Sequence, residues 1–103
     1  MSGFRVSRAA GHRLDEIFAY TRDRWGQAQA EAYINGLFAR FAAIANREFP
    51  WRPVPAEFGV NGFVCREGSH FIYWKLLGDG AVGIVTILHQ QMHQIDRFRE
   101  NWG

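Results

Sequence analysis

All three prolines of the chain, Pro50, Pro53 and Pro55, fall inside the stretch "FPWRPVPAEFGVNG", and the hydrophobic pattern differs on its two sides. A proline inside a helix removes a backbone hydrogen bond and clashes with the preceding turn, and in a central strand it cannot donate to the ladder. The stretch is therefore read as a crossing loop. Residues on its N-terminal side mostly keep helical spacing and those on its C-terminal side alternate, so the chain is expected to pack a helical unit on a sheet unit.

Residues 3 to 6, "GFRV", alternate with Phe4 and Val6 on one side, which predicts a short first strand, and Ser7 then offers a helix N-cap. From Ala9 to Trp25 the positions Leu14, Ile17, Phe18, Thr21 and Trp25 keep helical spacing while Arg13, Asp15, Glu16, Arg22, Asp23 and Arg24 fill the rest. Gly26 fits a helix stop. A second stripe, Ala30, Tyr33, Ile34, Leu37, Phe38, Phe41, Ile44 and Ala45, starts at once, and two helices joined so tightly form an antiparallel hairpin.

Beyond the loop, "GFVCRE", "SHFIYWKLL" and "AVGIVTILH" are separated by "EGS" and "GDG", which predicts three consecutive antiparallel strands with glycine in the turns. Val82 to Leu88 is nearly all apolar, the mark of a strand covered on both faces and therefore central. The tail "QMHQIDRFRENWG" has Met92, Ile95 and Phe98 at helical spacing and predicts a short terminal helix. The expected fold is α+β, in the order β-α-α-β-β-β: an N-terminal strand, then an antiparallel helical hairpin packed on a small, mostly antiparallel sheet, then a short C-terminal helix. One hairpin covers one sheet face. The other face needs the proline loop, the tail or another chain, and a partner chain is expected to supply cover.

At 103 residues and 48% hydrophobic, the chain has material for one core and is read as one domain, 1–103. A formal charge of +2 falls far short of a dedicated nucleic-acid binder, so charge alone permits nucleic acid without implying it, and direct DNA binding is not expected of this chain. The single cysteine, Cys65, cannot form an internal disulfide, and no apolar run approaches the roughly 18 to 20 residues that span a bilayer. A cytoplasmic protein without a membrane partner is expected.

His89 and His93 stand four residues apart, but Gln90 comes directly after the first of them where a zinc protease helix carries glutamate, and "GIVTIL" makes His89 a strand end. No metal or cofactor is expected. Cys65 reads as a small buried hydrophobe, "GDG" as a hairpin turn without the rest of a phosphate loop, and His12, His70 and His89 as hydrogen-bonded structural residues. Lys75 is the one lysine among the 12 basic residues; the rest are arginines, which favour bidentate contacts with carboxylates and phosphates. Trp51, Phe63, Tyr73, Trp74 and Trp102 could be core, yet aromatic side chains beside arginine are also interface material. Tyr73 and Trp74 are adjacent in one strand and face opposite ways, so at least one ring is expected to be available to a partner.

The stretch "REGSHFIYWKLLGDGAVGIVTILHQQM", with Arg66, Gly68, Ser69, His70, Tyr73, Asp79, Gly80 and the "ILHQ" of residues 87 to 90, resembles the C-terminal half of ParE toxins of the RelE/ParE superfamily. "LDEIFAYTRDRWGQAQAEAYINGL" is similar to that family's first helix, its Trp-Gly junction and its second helix. The resemblance implies the toxin of a type II toxin–antitoxin pair that inhibits DNA gyrase by binding, without catalytic residues, and is neutralised by a ParD-type antitoxin. On that resemblance Arg66, His89, Arg97, Arg99 and Trp102 are assigned to the gyrase target, and Trp51, Phe63, Arg66, Tyr73 and Trp74 to the antitoxin. Gln91 and His93 stand where family members often carry arginine and aspartate. Two alternatives stay open: a RelE-like ribosome-dependent mRNA endoribonuclease, and a non-toxic module that serves only its antitoxin.

Overall fold

The computed structural model describes residues 3–91. Strand β1 (Phe4–Val6) leads into helix α1 (Arg8–Trp25), whose N-cap Ser7 accepts a hydrogen bond from the Ala10 amide at 3.0 Å and donates its own hydroxyl to the Val85 carbonyl at 2.7 Å. One side chain thus starts the helix and fastens it to the sheet. Helix α1 stops at Gly26 with φ 98°, a conformation that costs a glycine little, and α2 (Gln27–Ala45) begins on the next residue. This is the hairpin read from the sequence.

At the far end of α2, Arg47 holds φ 61°, unusual for a residue with a side chain. Its guanidinium lies 3.6 Å from the centre of the Trp51 ring, and the Trp51 indole donates to the Ile44 carbonyl at 3.2 Å. Those contacts offset the backbone cost and pin the start of the proline loop to the helix. The loop itself contributes a two-residue strand, β2 (Arg52–Pro53), and a 3₁₀ turn at Ala56–Phe58. Its proline lies on an edge strand, where a missing N–H costs no interior ladder bond.

Strands β3 (Phe63–Glu67), β4 (His70–Leu76) and β5 (Val82–His89) form the antiparallel meander, and the sheet order is β1-β5-β4-β3-β2 with β1 parallel to β5. The apolar strand β5 is therefore interior, flanked by β1 and β4. Gly68 makes the β3–β4 turn at φ 59°, and a Cβ there would lie 2.8 Å from the Tyr33 hydroxyl, so this turn requires glycine twice over. The terminal helix expected of the tail lies outside the described residues.

The hairpin covers one face, where Leu37, Phe41, Ile44, Ile72, Trp74 and Ile84 are completely shielded from solvent. On the other face Val54, Tyr73 and Leu88 form a second buried cluster with Phe58, Val60, Val64 and Phe71 against it. Of the three possible covers for this face, the proline loop supplies one from within the chain. Trp25 departs from the apolar stripe expected of α1: it is 69% exposed. The helix ends there.

Candidate functional site

The candidate site residues gather where β3, β4 and β5 meet the Glu67–His70 turn. The ladders set Glu67 opposite His70 and His70 opposite His89. The two imidazoles meet edge to face with centroids 5.1 Å apart, and the Tyr33 hydroxyl of α2 lies 2.6 Å from Nδ1 of His70 and donates to the Glu67 carbonyl at 3.2 Å. Burial, reinforced by the neighbouring His89, lowers the His70 pKa to about 4, so this ring is neutral at physiological pH. The ring of His89 is fixed from below by the Gln91 amide, which donates to its Nδ1 at 3.1 Å. A cleft of about 400 Å³ opens beside the pair, with Glu16, Ile17, Tyr20 and Thr21 of α1 as its opposite wall.

Arg66 stands at the same end of the sheet but on the other face, because its cross-strand partner is Phe71 and both belong to the side turned away from the hairpin. Its Nε donates to the Gly68 carbonyl at 3.0 Å, its Nη2 donates to the Gln90 side-chain oxygen, and its guanidinium lies 5.8 Å from the Phe71 ring centre. The arginine is held in shape while remaining exposed. Glu67, by contrast, faces the hairpin and pairs with Arg40 at 2.6 Å.

The other residues singled out in the sequence are dispersed. Tyr73 and Trp74 do face opposite ways, but neither ring is available: Trp74 is 0% exposed beneath the hairpin and Tyr73 is 3% exposed beneath the proline loop. The expectation of a free ring fails because the loop closes the second face. Burial also drives the Tyr73 hydroxyl up to about 12. Trp51 and Phe63 pack against Trp74, with centroids 5.9 and 6.0 Å from it, as partly buried margins of the core. The Cys65 thiol is pushed up to about 11 by burial, the opposite of an activated nucleophile. Arg97, Arg99 and Trp102 lie outside the described residues. Among the described residues no three metal-ligating side chains come together. Sequence reasoning treats Tyr33 as core and His70 and His89 separately; the pairing needs the strand register, which the Tyr73/Trp74 bulge shifts.

A family model described as the ParE toxin of type II toxin–antitoxin systems, parDE, matches residues 4–94. The chain belongs to the ParE toxin family. It is 36% identical to Toxin ParE1 of Caulobacter vibrioides over 94 residues, covering 90% of this chain and 94% of that one. To Toxin ParE1 of Mycobacterium tuberculosis it is 35% identical over 97 residues, covering 93% and 96%. A chain from the structure of a chromosomal ParDE system of P. aeruginosa superimposes with a TM-score of 0.67 at 18% identity, over 86% of this chain and 96% of that one, a likeness of fold. The matched span of this ParE-family toxin takes in both helices, the whole sheet and the His70–His89 cleft. No helix among the described residues is long and apolar enough to cross a membrane.

Proposed function

We propose that this chain is the toxin of a type II pair, held by a ParD-type antitoxin and, once released, inhibiting DNA gyrase in the cytoplasm by binding rather than by catalysis. The observation that carries the reading is the family match over residues 4–94, at about a third identity to toxins named ParE1. The chemistry of the sheet end agrees with a binder. Cleaving RNA needs a base for the 2′-OH, an acid for the leaving oxygen and cations around the phosphate. His70 is neutral and engaged by Tyr33, and Lys75 sits at the opposite end of β4 from it. Arg66 is on the other face.

We assign Arg66 and His89, with Arg97, Arg99 and Trp102, to the gyrase contact. Trp51, Phe63 and Arg66 are assigned to the antitoxin, while Tyr73 and Trp74 serve the core. The test is a plasmid supercoiling and cleavage assay with folded, antitoxin-free protein. Inhibited supercoiling or trapped cleaved plasmid supports the reading, and gyrase left untouched by folded protein removes it. In the same assay Arg66→Ala should weaken inhibition while leaving the thermal midpoint within a few degrees of the parent.

A further inference from the structure

At the margin of the loop-covered face, two strand ends close around one guanidinium. Arg66 belongs to the last turn of β3 before the Glu67–His70 turn, and Gln90 follows the last residue of β5. The Gln90 amide donates to the Ser69 carbonyl at 3.0 Å, which ties the chain after β5 to the β3–β4 turn. From that anchored position the Gln90 side-chain oxygen accepts from Nη2 of Arg66, while the Gly68 carbonyl accepts from Nε at 3.0 Å. Gly68 presents its carbonyl from a left-handed conformation, φ 59°. The Phe71 ring, opposite Arg66 in the ladder, supports the guanidinium from a third side.

Both acceptors are neutral. Glu67, the adjacent acid, faces the hairpin and pairs with Arg40, and among the described residues no carboxylate pairs with Arg66. Its positive charge is therefore held in place without being offset. A guanidinium carries five N–H donors, and two of them are engaged here. The other three sit on Nη1 and Nη2 of an exposed residue, the two nitrogens that grip a carboxylate end-on. An arginine already fixed in direction also loses less side-chain freedom on binding than one that swings in solvent. The surroundings select the kind of anion. Val64 and Phe71 flank Arg66 on this face, and one cation between apolar neighbours suits a single side-chain carboxylate of a protein. A nucleic-acid backbone calls for several cations in a row.

We infer that Arg66 is the receptor for one Asp or Glu carboxylate of a protein partner, and that Gln90 is the positioning residue that sets the direction of its fork. The inference rests on the toxin–antitoxin reading and deepens it, since the partner is then the antitoxin and Arg66 carries the charge recognition at that interface. Gln90 acts through Arg66 and makes no contact of its own with the partner.

The experiment is calorimetric titration of the full chain with its co-expressed ParD-type antitoxin, separated and recombined, arranged as a double-mutant cycle at low and high salt. Arg66→Ala should bind roughly tenfold to hundredfold more weakly and with a shallower salt dependence. Arg66→Lys keeps the charge but not the fork, and should fall closer to Arg66→Ala than to the wild type. Gln90→Met keeps the side chain's length and drops the acceptor, and should bind about threefold to tenfold more weakly. In the Arg66→Ala background the same change should add less than about twofold, because its effect passes through the arginine. Both positions are exposed, and matching thermal midpoints check that the variants fold. Should Gln90→Met disturb the turn, Gln90→Ala carries the same expectation. A Gln90→Met loss that persists undiminished without Arg66, or no loss at all, would overturn the positioning role. Wild-type affinity in Arg66→Ala would overturn the receptor while leaving the toxin–antitoxin reading intact. Absence of wild-type binding would overturn that reading and the receptor's occupant with it.

Discussion

Under the hairpin, Leu37, Phe41, Ile44, Ile72, Trp74 and Ile84 have no contact with solvent; across the sheet, the buried cluster is Val54, Tyr73 and Leu88, with Phe58, Val60, Val64 and Phe71 only partly covered. The contrast comes from the elements that do the covering. Two helices of 18 and 19 residues present continuous apolar stripes, whereas the other face is closed by a loop with a two-residue strand and one 3₁₀ turn. A long stripe excludes water along its whole length. A loop leaves margins, and Arg66 lies exposed on that face. The hairpin side thus contributes the larger share of the buried core.

The most direct way to break that comparison is to remove one side chain from each face. Phe41 is 0% exposed and packs edge to face on Phe4 and Phe38, with centroids 5.6 and 5.3 Å away. Phe41→Ala should cost about 3–5 kcal/mol in urea unfolding monitored by tryptophan fluorescence. Val54, 6% exposed under the loop, loses two methyl groups in Val54→Ala and should cost only about 1–2 kcal/mol. Equal costs would show that the faces contribute alike and would end the division of labour between them.

Much of this architecture is legible in the sequence because the devices that build it are local. Ser7 as a cap, Gly26 as a stop, and glycines in the two meander turns are each specified by residues next to one another. The covered strand at Val82 to Leu88 is legible from composition, since few sites other than an interior strand accept such a run. The hidden features depend on register and on depth. That Tyr73 and Trp74 point apart is a consequence of alternation, but that both are covered depends on where the proline loop lies, which no periodicity encodes. His70 and His89 are 19 residues apart in sequence and directly opposed in the ladder, in a strand pair whose register shifts at Tyr73/Trp74. Arg66 and His89 both belong to the stretch that carries the family resemblance, and the pleat turns them to opposite faces of the same sheet end, which the motif does not encode.

The polar end of the hairpin face sharpens the comparison in another way, through pH. His70 is surrounded by Tyr33 and Glu67 on one side and His89 on the other, with Glu16 of α1 across the cleft. In the unfolded chain it takes up a proton near the ordinary pH of about 6.5, and in the folded state only near 4. Between those values the unfolded state binds the extra proton, so stability is fully present above about pH 6.5 and declines as pH falls towards 4. A series of thermal midpoints across this window should fall more steeply for the parent than for His70→Asn, with the carboxylate contribution common to both. Parallel curves would mean that the ring protonates without cost, and that this end of the hairpin face is as open to water as the loop-covered face.

The smallest effect is expected at Trp25, and it tests the comparison at the exposed end of α1. Trp25 ends α1 with 69% of its surface in solvent, and Tyr20, five residues earlier on the helix, is 59% exposed with the Arg24 guanidinium 5.4 Å from its ring centre. Burial sets the contribution of an aromatic side chain to folding, so a tryptophan this exposed contributes little despite its size. Trp25→Ser should change unfolding free energy by no more than about 0.5 kcal/mol, the usual range for surface substitutions. A loss of about 2 kcal/mol or more would mean that the hairpin's stabilising stripe runs to the last residue of α1. A neutral result would confine that stripe to the helix turns that end by Thr21, whose hydroxyl donates to the Ile17 carbonyl at 2.7 Å where the apolar wall of the histidine cleft stops.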